Sequence, residues 1–276
     1  MAIIMIMTTA AAAELDFSWR RGEVAGYSQT PAGGQPGSSS LARPDFAELG
    51  YNDAHRPRLA LRGPAAAFNW QLQAERVRLD GRQTLQQDLI SWGVPIPAGS
   101  TVDSALQFDW YSAGAGRPLW TGPTWQVEWQ LALIGFDFDF QLDVDSGQTQ
   151  TQNQTRAETK SEASNEISNE TRVENRLESD RIHRDYGSKG LQAGLELRYA
   201  LTDRLQLQLS GRRGYRAAHF LAVDDWALAL AWRYSDLTLY GELGRFALRY
   251  RDHQELPNRL MFDQRETVGI GLRWQF

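Results

Sequence analysis

The sequence predicts an all-β protein: a closed, antiparallel, up-and-down transmembrane β-barrel of about ten strands, with eight or twelve as the alternatives. Three observations predict it. Hydrophobicity alternates with a period of two along most of the chain. The connections between alternating runs are short and long by turns. Aromatic residues make up 11% of the chain, ten of them Trp, and so many amphipathic rings suit a boundary between apolar and wet surroundings.

Composition removes several other classes. No run of 18 apolar residues offers a transmembrane helix. A net charge of −5 gives no broad basic field for nucleic acid. Without cysteine there is neither a disulfide framework nor a thiolate metal site.

The first segment, Met1 to Ala13, is apolar and ends in alanines before Glu14. It resembles the core and cleavage site of a secretory signal but lacks the positive start. Residues 1–13 are therefore expected to be a signal peptide, with a strand-leading terminus as the alternative. Residues 14–276 then form a single barrel domain.

Ten alternating runs follow, near 14–25, 56–62, 67–80, 101–115, 125–146, 190–201, 204–212, 225–234, 237–250 and 267–276. The eighth is the clearest: Trp226, Leu228, Leu230, Trp232 and Tyr234 alternate with Ala227, Ala229, Ala231 and Arg233. Such a strand has two unlike faces. Short turns are expected at Gly63–Pro64, Gly116–Pro123, Ala200–Arg204 and Ser235–Asp236. Longer connections follow the odd-numbered runs. The first, Tyr27 to His55, is rich in Gly, Pro and Ser and reads as a loop. The longest, about 148–189, is built from Gln, Thr, Glu, Asn, Ser and Arg, and reads as a polar surface loop or a partial helix.

Two runs change phase. In the fifth, Trp125 to Leu133 are apolar at odd positions and Phe136 to Val144 at even ones. The ninth shifts near Gly244–Arg245. A β-bulge at Ile134–Gly135, and another in the ninth run, would keep one continuous apolar face.

The apolar face is expected to meet lipid. Ten strands with four or five large residues each would overfill a small closed interior. Aromatics also gather beside the short turns: Phe68 and Trp70, Trp110, Trp125 and Trp129, Tyr199, Trp232 and Tyr234, then Trp274 and Phe276. One level of rings is what an interfacial girdle requires.

In the last run Val268, Ile270, Leu272, Trp274 and Phe276 alternate with Gly269, Gly271, Arg273 and Gln275. A final strand ending on Phe resembles the assembly signal of Gram-negative outer-membrane β-barrels. That resemblance implies outer-membrane localisation, a lipid bilayer as partner, insertion by the outer-membrane assembly machinery, and short turns on the periplasmic side with long loops outside.

The other face carries both signs of charge: Glu75, Asp109, Glu128, Asp137, Asp139, Glu196, Arg198, Arg212, Arg233, Glu242 and Arg273. Buried charge must pair. The set reads as a salt-bridged plug, with a polar pathway for a small solute as the alternative. His55, His183, His219 and His253 fall in or beside the long connections, with Asp224, Asp225 and Asp252. Ten strands with such a rim resemble the omptin proteases, which implies a rim hydrolase. The pattern departs from that family's acidic pair, because the adjacent Asp224 and Asp225 face opposite ways. No His–Ser pair points to a lipid-modifying barrel. Nothing in the sequence calls for a cofactor or metal. The preferred function is a plugged barrel with a structural or surface-interaction role; a small-solute channel and a rim hydrolase are the alternatives.

Overall fold

The computed structural model describes residues 13–29, 31, 37–39, 43, 45–145, 181–216 and 220–276. Nearly all of the expected leader, His219 and most of the 148–189 connection lie outside the described residues. The strands are β1 (Glu14–Gln29), β2 (Asp53–Ala65), β3 (Phe68–Thr84), β4 (Leu89–Ser91), β5 (Val94–Ile96), β6 (Thr101–Thr121), β7 (Trp125–Asp145), β8 (Arg181–Ala200), β9 (Leu205–Arg216), β10 (Phe220–Tyr234), β11 (Leu237–Arg251) and β12 (Arg259–Gln275). Ten close into an antiparallel barrel in the order β1-β12-β11-β10-β9-β8-β7-β6-β3-β2, while β4 and β5 form a separate hairpin. Closure leaves no open sheet edge for lipid to meet. The start of β1, the end of β12 and the short turns share one end, called lower here: Glu14 pairs with Gln275 there.

Several strands run further than their sequence patterns. The first tight turn is Ala66–Ala67, with Ala66 at φ 51°, because Gly63 and Pro64 still pair with Trp70 and Asn69. The second is Gly122–Thr124, since β6 continues to Thr121. β8 begins at Arg181 rather than near 190. Only residues 217–219 separate β9 from β10, so that connection is not long.

The extra length explains the phase changes. Pairing of β7 with β6 and β8 runs unbroken through Ile134–Gly135, so no bulge lies there. Leu131 and Leu133 face outward and are exposed, whereas Phe136, Phe138, Phe140 and Leu142 face inward and are buried. Side-chain parity is constant; the surroundings change. The lower half has an apolar outer wall and a polar interior. The upper half has a charged outer wall and an apolar interior, the arrangement of a barrel standing in water. β11 changes in the same way, and its pairing with β10 is also continuous. The extra residue sits in β12, where Gly244 pairs with Thr267 and Phe246 with Gln264, and Glu266 has φ 47°.

Two aromatic belts border the apolar wall. The lower one includes Trp125 between Trp120 and Tyr199, with ring centroids at 5.1 and 6.4 Å. It also includes the pairs Trp232–Tyr234 and Trp274–Phe276. Trp129 lies on the same outer parity of β7, two outward positions further from the turn than Trp125. Trp70 lies over Gly63, where a Cβ would come within 2.5 Å of its ring. Trp110 is not part of this belt. It is buried at 3% exposure inside the barrel, because Tyr111 takes the outward position. Trp19, Tyr111, Tyr215 and Trp226 form the upper belt. On β10, Trp226 to Tyr234 spans nine residues, and a tilted strand crosses the hydrocarbon in roughly 9–11.

The upper interior is packed as a core. Phe108, Phe246 and Phe262 are in mutual ring contact, with centroids 4.9–6.3 Å apart. The connection expected to be a plain surface loop joins them. It forms the 3-10 turn Ala47–Leu49 and buries Phe46, Leu49 and Tyr51 at 0–2% exposure. Phe46 N–H donates to the Gly26 carbonyl at 2.8 Å, which anchors the turn to β1.

Candidate functional site

Below that core the lumen is filled by arginines and carboxylates, the inward positions of strands whose outward positions are leucines. The first two strands supply Glu14, Asp16, Arg20, Arg56, Arg58 and Arg62. Arg20 forks Glu242 at 2.7 and 2.8 Å and contacts Asp225 at 3.0 Å. Arg58 and Arg273 share Asp16 at 3.2 and 3.1 Å. The Tyr240 hydroxyl donates to Asp16 at 2.7 Å, and Arg273 also reaches Glu14 at 3.0 Å. Arg62 and Arg198 share Glu196 at 3.1 and 2.6 Å. Arg56 is fully buried, pairs with Glu75, and sits under the Phe246 ring at 3.9 Å. That cation–π contact is where the ionic layer meets the apolar core.

The residues singled out in the sequence divide into three groups. Glu75, Glu128, Glu196, Arg198, Arg212, Glu242 and Arg273 face the lumen. Within it Glu128 meets Asn69 at 3.4 Å and Arg212 meets Gln73 at 2.5 Å. Arg233 shares the lumen parity but is exposed at the lower mouth. Asp109, Asp137 and Asp139 stand on the outer wall instead, because their strands have already left the membrane. Asp109 pairs with Arg76 at 2.6 Å and Asp139 with His183 at 2.6 Å. Six lumen residues were not singled out: Glu14, Asp16, Arg20, Arg56, Arg58 and Arg62; Asp225, read as a rim acid, also faces the lumen. Their signal was present as the polar alternate of Leu15, Phe17, Trp19, Leu59 and Leu61.

Among the described residues, the rim acids and His55 point to separate partners. Asp224 faces outward to Arg213 and Asp225 inward to Arg20. His55 stacks on Trp19 at 5.1 Å on the outer wall. The Asp252 carboxylate accepts from the Gln254 and Asn258 backbones, closing the last connection. Among the described residues no three His, Asp or Glu side chains gather as a metal site.

Space in the lower lumen is small. A cavity of about 30 Å³ lies among Arg20, Arg58, Arg62, Arg212, Arg273, Glu196 and Glu242, room for one or two water-sized bodies. A larger cavity of about 880 Å³ is lined by Leu59, Leu72, Tyr111 and Leu133 of the outer wall. Its walls suit acyl chain, not an aqueous solute.

No known family profile matches the chain. No curated protein does either. Among solved structures it is similar to the outer membrane protease OmpT from Escherichia coli, at 11% identity over 97% of this chain and 98% of that one, with a TM-score of 0.47. It is also similar to Ail, the attachment invasion locus protein of Yersinia pestis, at 8% identity over 97% and 100%, with a TM-score of 0.36. For the outer membrane protein OprG of Pseudomonas aeruginosa the values are 10%, 97%, 97% and 0.35. Identities this low bear on fold alone. The structure itself has a closed ten-strand barrel, an apolar wall between two aromatic belts, and the start of β1 and end of β12 beside the short turns. This is the architecture of Gram-negative outer-membrane β-barrels.

Proposed function

We propose that this chain is a non-conducting outer-membrane barrel with a structural or surface-interaction role, presenting its charged upper wall and connections outside the cell. One observation carries the reading: the interior is closed twice, by the ionic layer and then by the apolar core above it. An aqueous solute would have to cross both. The channel reading lacks a continuous wet path, and the hydrolase reading lacks a gathered set of catalytic groups among the described residues. Planar-bilayer recording tests the proposal. The refolded protein should give no stable conductance steps above the lipid baseline, and regular steps would establish the channel reading.

Two further expectations belong to the same proposal. The apolar segment 1–13 serves as an export signal, and the final strand through Trp274 and Phe276 is read by the assembly machinery. Phe276→Ser should slow insertion in cells while leaving spontaneous refolding into detergent intact; equal insertion rates would remove the second expectation.

A further inference from the structure

One arginine of the ionic layer differs from the others. Of the seven lumen arginines in that layer, six meet a carboxylate within 4.0 Å: Arg20, Arg56, Arg58, Arg62, Arg198 and Arg273. Arg212 has no such ion pair among the described residues; its contact is the neutral Gln73 side chain, whose Oε1 accepts at 2.5 Å. Asp225 is its partner in the β9–β10 register, but that carboxylate is turned to Arg20 at 3.0 Å and Arg56 at 3.9 Å. Glu128 does not compensate it either, since it lies against Asn69.

Arg212 is 8% exposed, and a buried cation without a counter-charge is costly. It lines the 30 Å³ cavity, where five guanidinium groups face two glutamates. Two other lining residues, Arg58 and Arg62, have buried Nε–H groups without an acceptor. The lining thus holds more guanidinium than carboxylate groups, donors without an acceptor and a volume for one or two water-sized bodies.

We propose that this cavity binds one monatomic, monovalent anion of chloride size, held by Arg212 with the Nε–H groups of Arg58 and Arg62. The anion completes the ionic layer. The inference rests on the closed-lumen reading, yet its test is separate, because conductance reports a path and the following experiment reports a bound ion.

The protein, refolded in detergent, is heated in sodium bromide or in sodium gluconate at matched ionic strength, and its unfolding midpoint is read from the gel shift. The midpoint should rise saturably with bromide and stay flat with gluconate, which is too large to enter. Arg212→Gln should abolish the bromide-specific rise. Where that variant fails to fold, Gln73→Glu serves: it is isosteric, gives Arg212 a carboxylate, and should make the folded barrel indifferent to bromide. In crystals grown with bromide, an anomalous peak should lie beside Arg212. Equal midpoints in the two salts for the unaltered protein, or a bromide effect that survives Gln73→Glu, would overturn the site.

Discussion

At the scale of single residues, neighbours on one strand live in different solvents. Leu230 is 49% exposed on the outer wall and Ala229 is 7% exposed in the lumen. Leu230→Arg places a charge in hydrocarbon and should destabilise the barrel by roughly 2–4 kcal/mol near the midplane, whereas Ala229→Ser should change little. Urea unfolding in lipid vesicles measures both, and comparable losses at the two positions would contradict the assigned faces. Arg56 permits a different test, because it serves as ion-pair partner of Glu75 and as floor of the phenylalanine core. Arg56→Met should cost about 3–5 kcal/mol, mostly by stranding Glu75 in a dry site. Adding Glu75→Leu should recover a large part of that loss. A double variant as unstable as the single one would show that the cation–π contact, not the stranded carboxylate, dominates.

At the scale of elements, the strands were more legible than their ends. Trp226 to Tyr234 reads as a strand because both faces keep one character over its whole length in lipid. β7 reads as two half-strands needing a bulge, because a period-two pattern records contrast between faces and not the identity of the solvent. Where the solvent changes from lipid to water, the contrast inverts while the backbone continues. The same inversion sent Asp109, Asp137 and Asp139 to the wrong side and Trp110 to the wrong belt. The lumen carboxylates of β8 and β11 were legible, lying within the uninverted half. The turn 45–51 was not legible, for its Gly- and Pro-rich surroundings say loop and nothing in the period says where Phe46 points. Phe46→Ala should cost about 3–5 kcal/mol, as for a fully buried core Phe, although the residue belongs to a connection. A change under about 1 kcal/mol would mean that the turn does not pack into the barrel.

At the scale of the whole molecule, the lipid boundary crosses strands such as β6, β7 and β11 where their faces exchange. The chain has no cysteine, so single Cys labels can map that boundary. On β7, both Leu133 and Asp137 point outward. A dye at 133 should be quenched strongly by brominated lipid and one at 137 weakly; similar quenching would move the boundary. The consequence of the exchange is that this barrel fixes its own depth. Raising it by two residues, roughly 6–7 Å along a strand, would lift leucines such as Leu133 into water. Lowering it by as much would drag the Arg76–Asp109 and Arg245–Asp263 pairs into hydrocarbon. A wall of uniform character could float across membranes of different thickness. This one has a waterline written into strands such as β6, β7 and β11, and a thicker or thinner bilayer would have to deform around it.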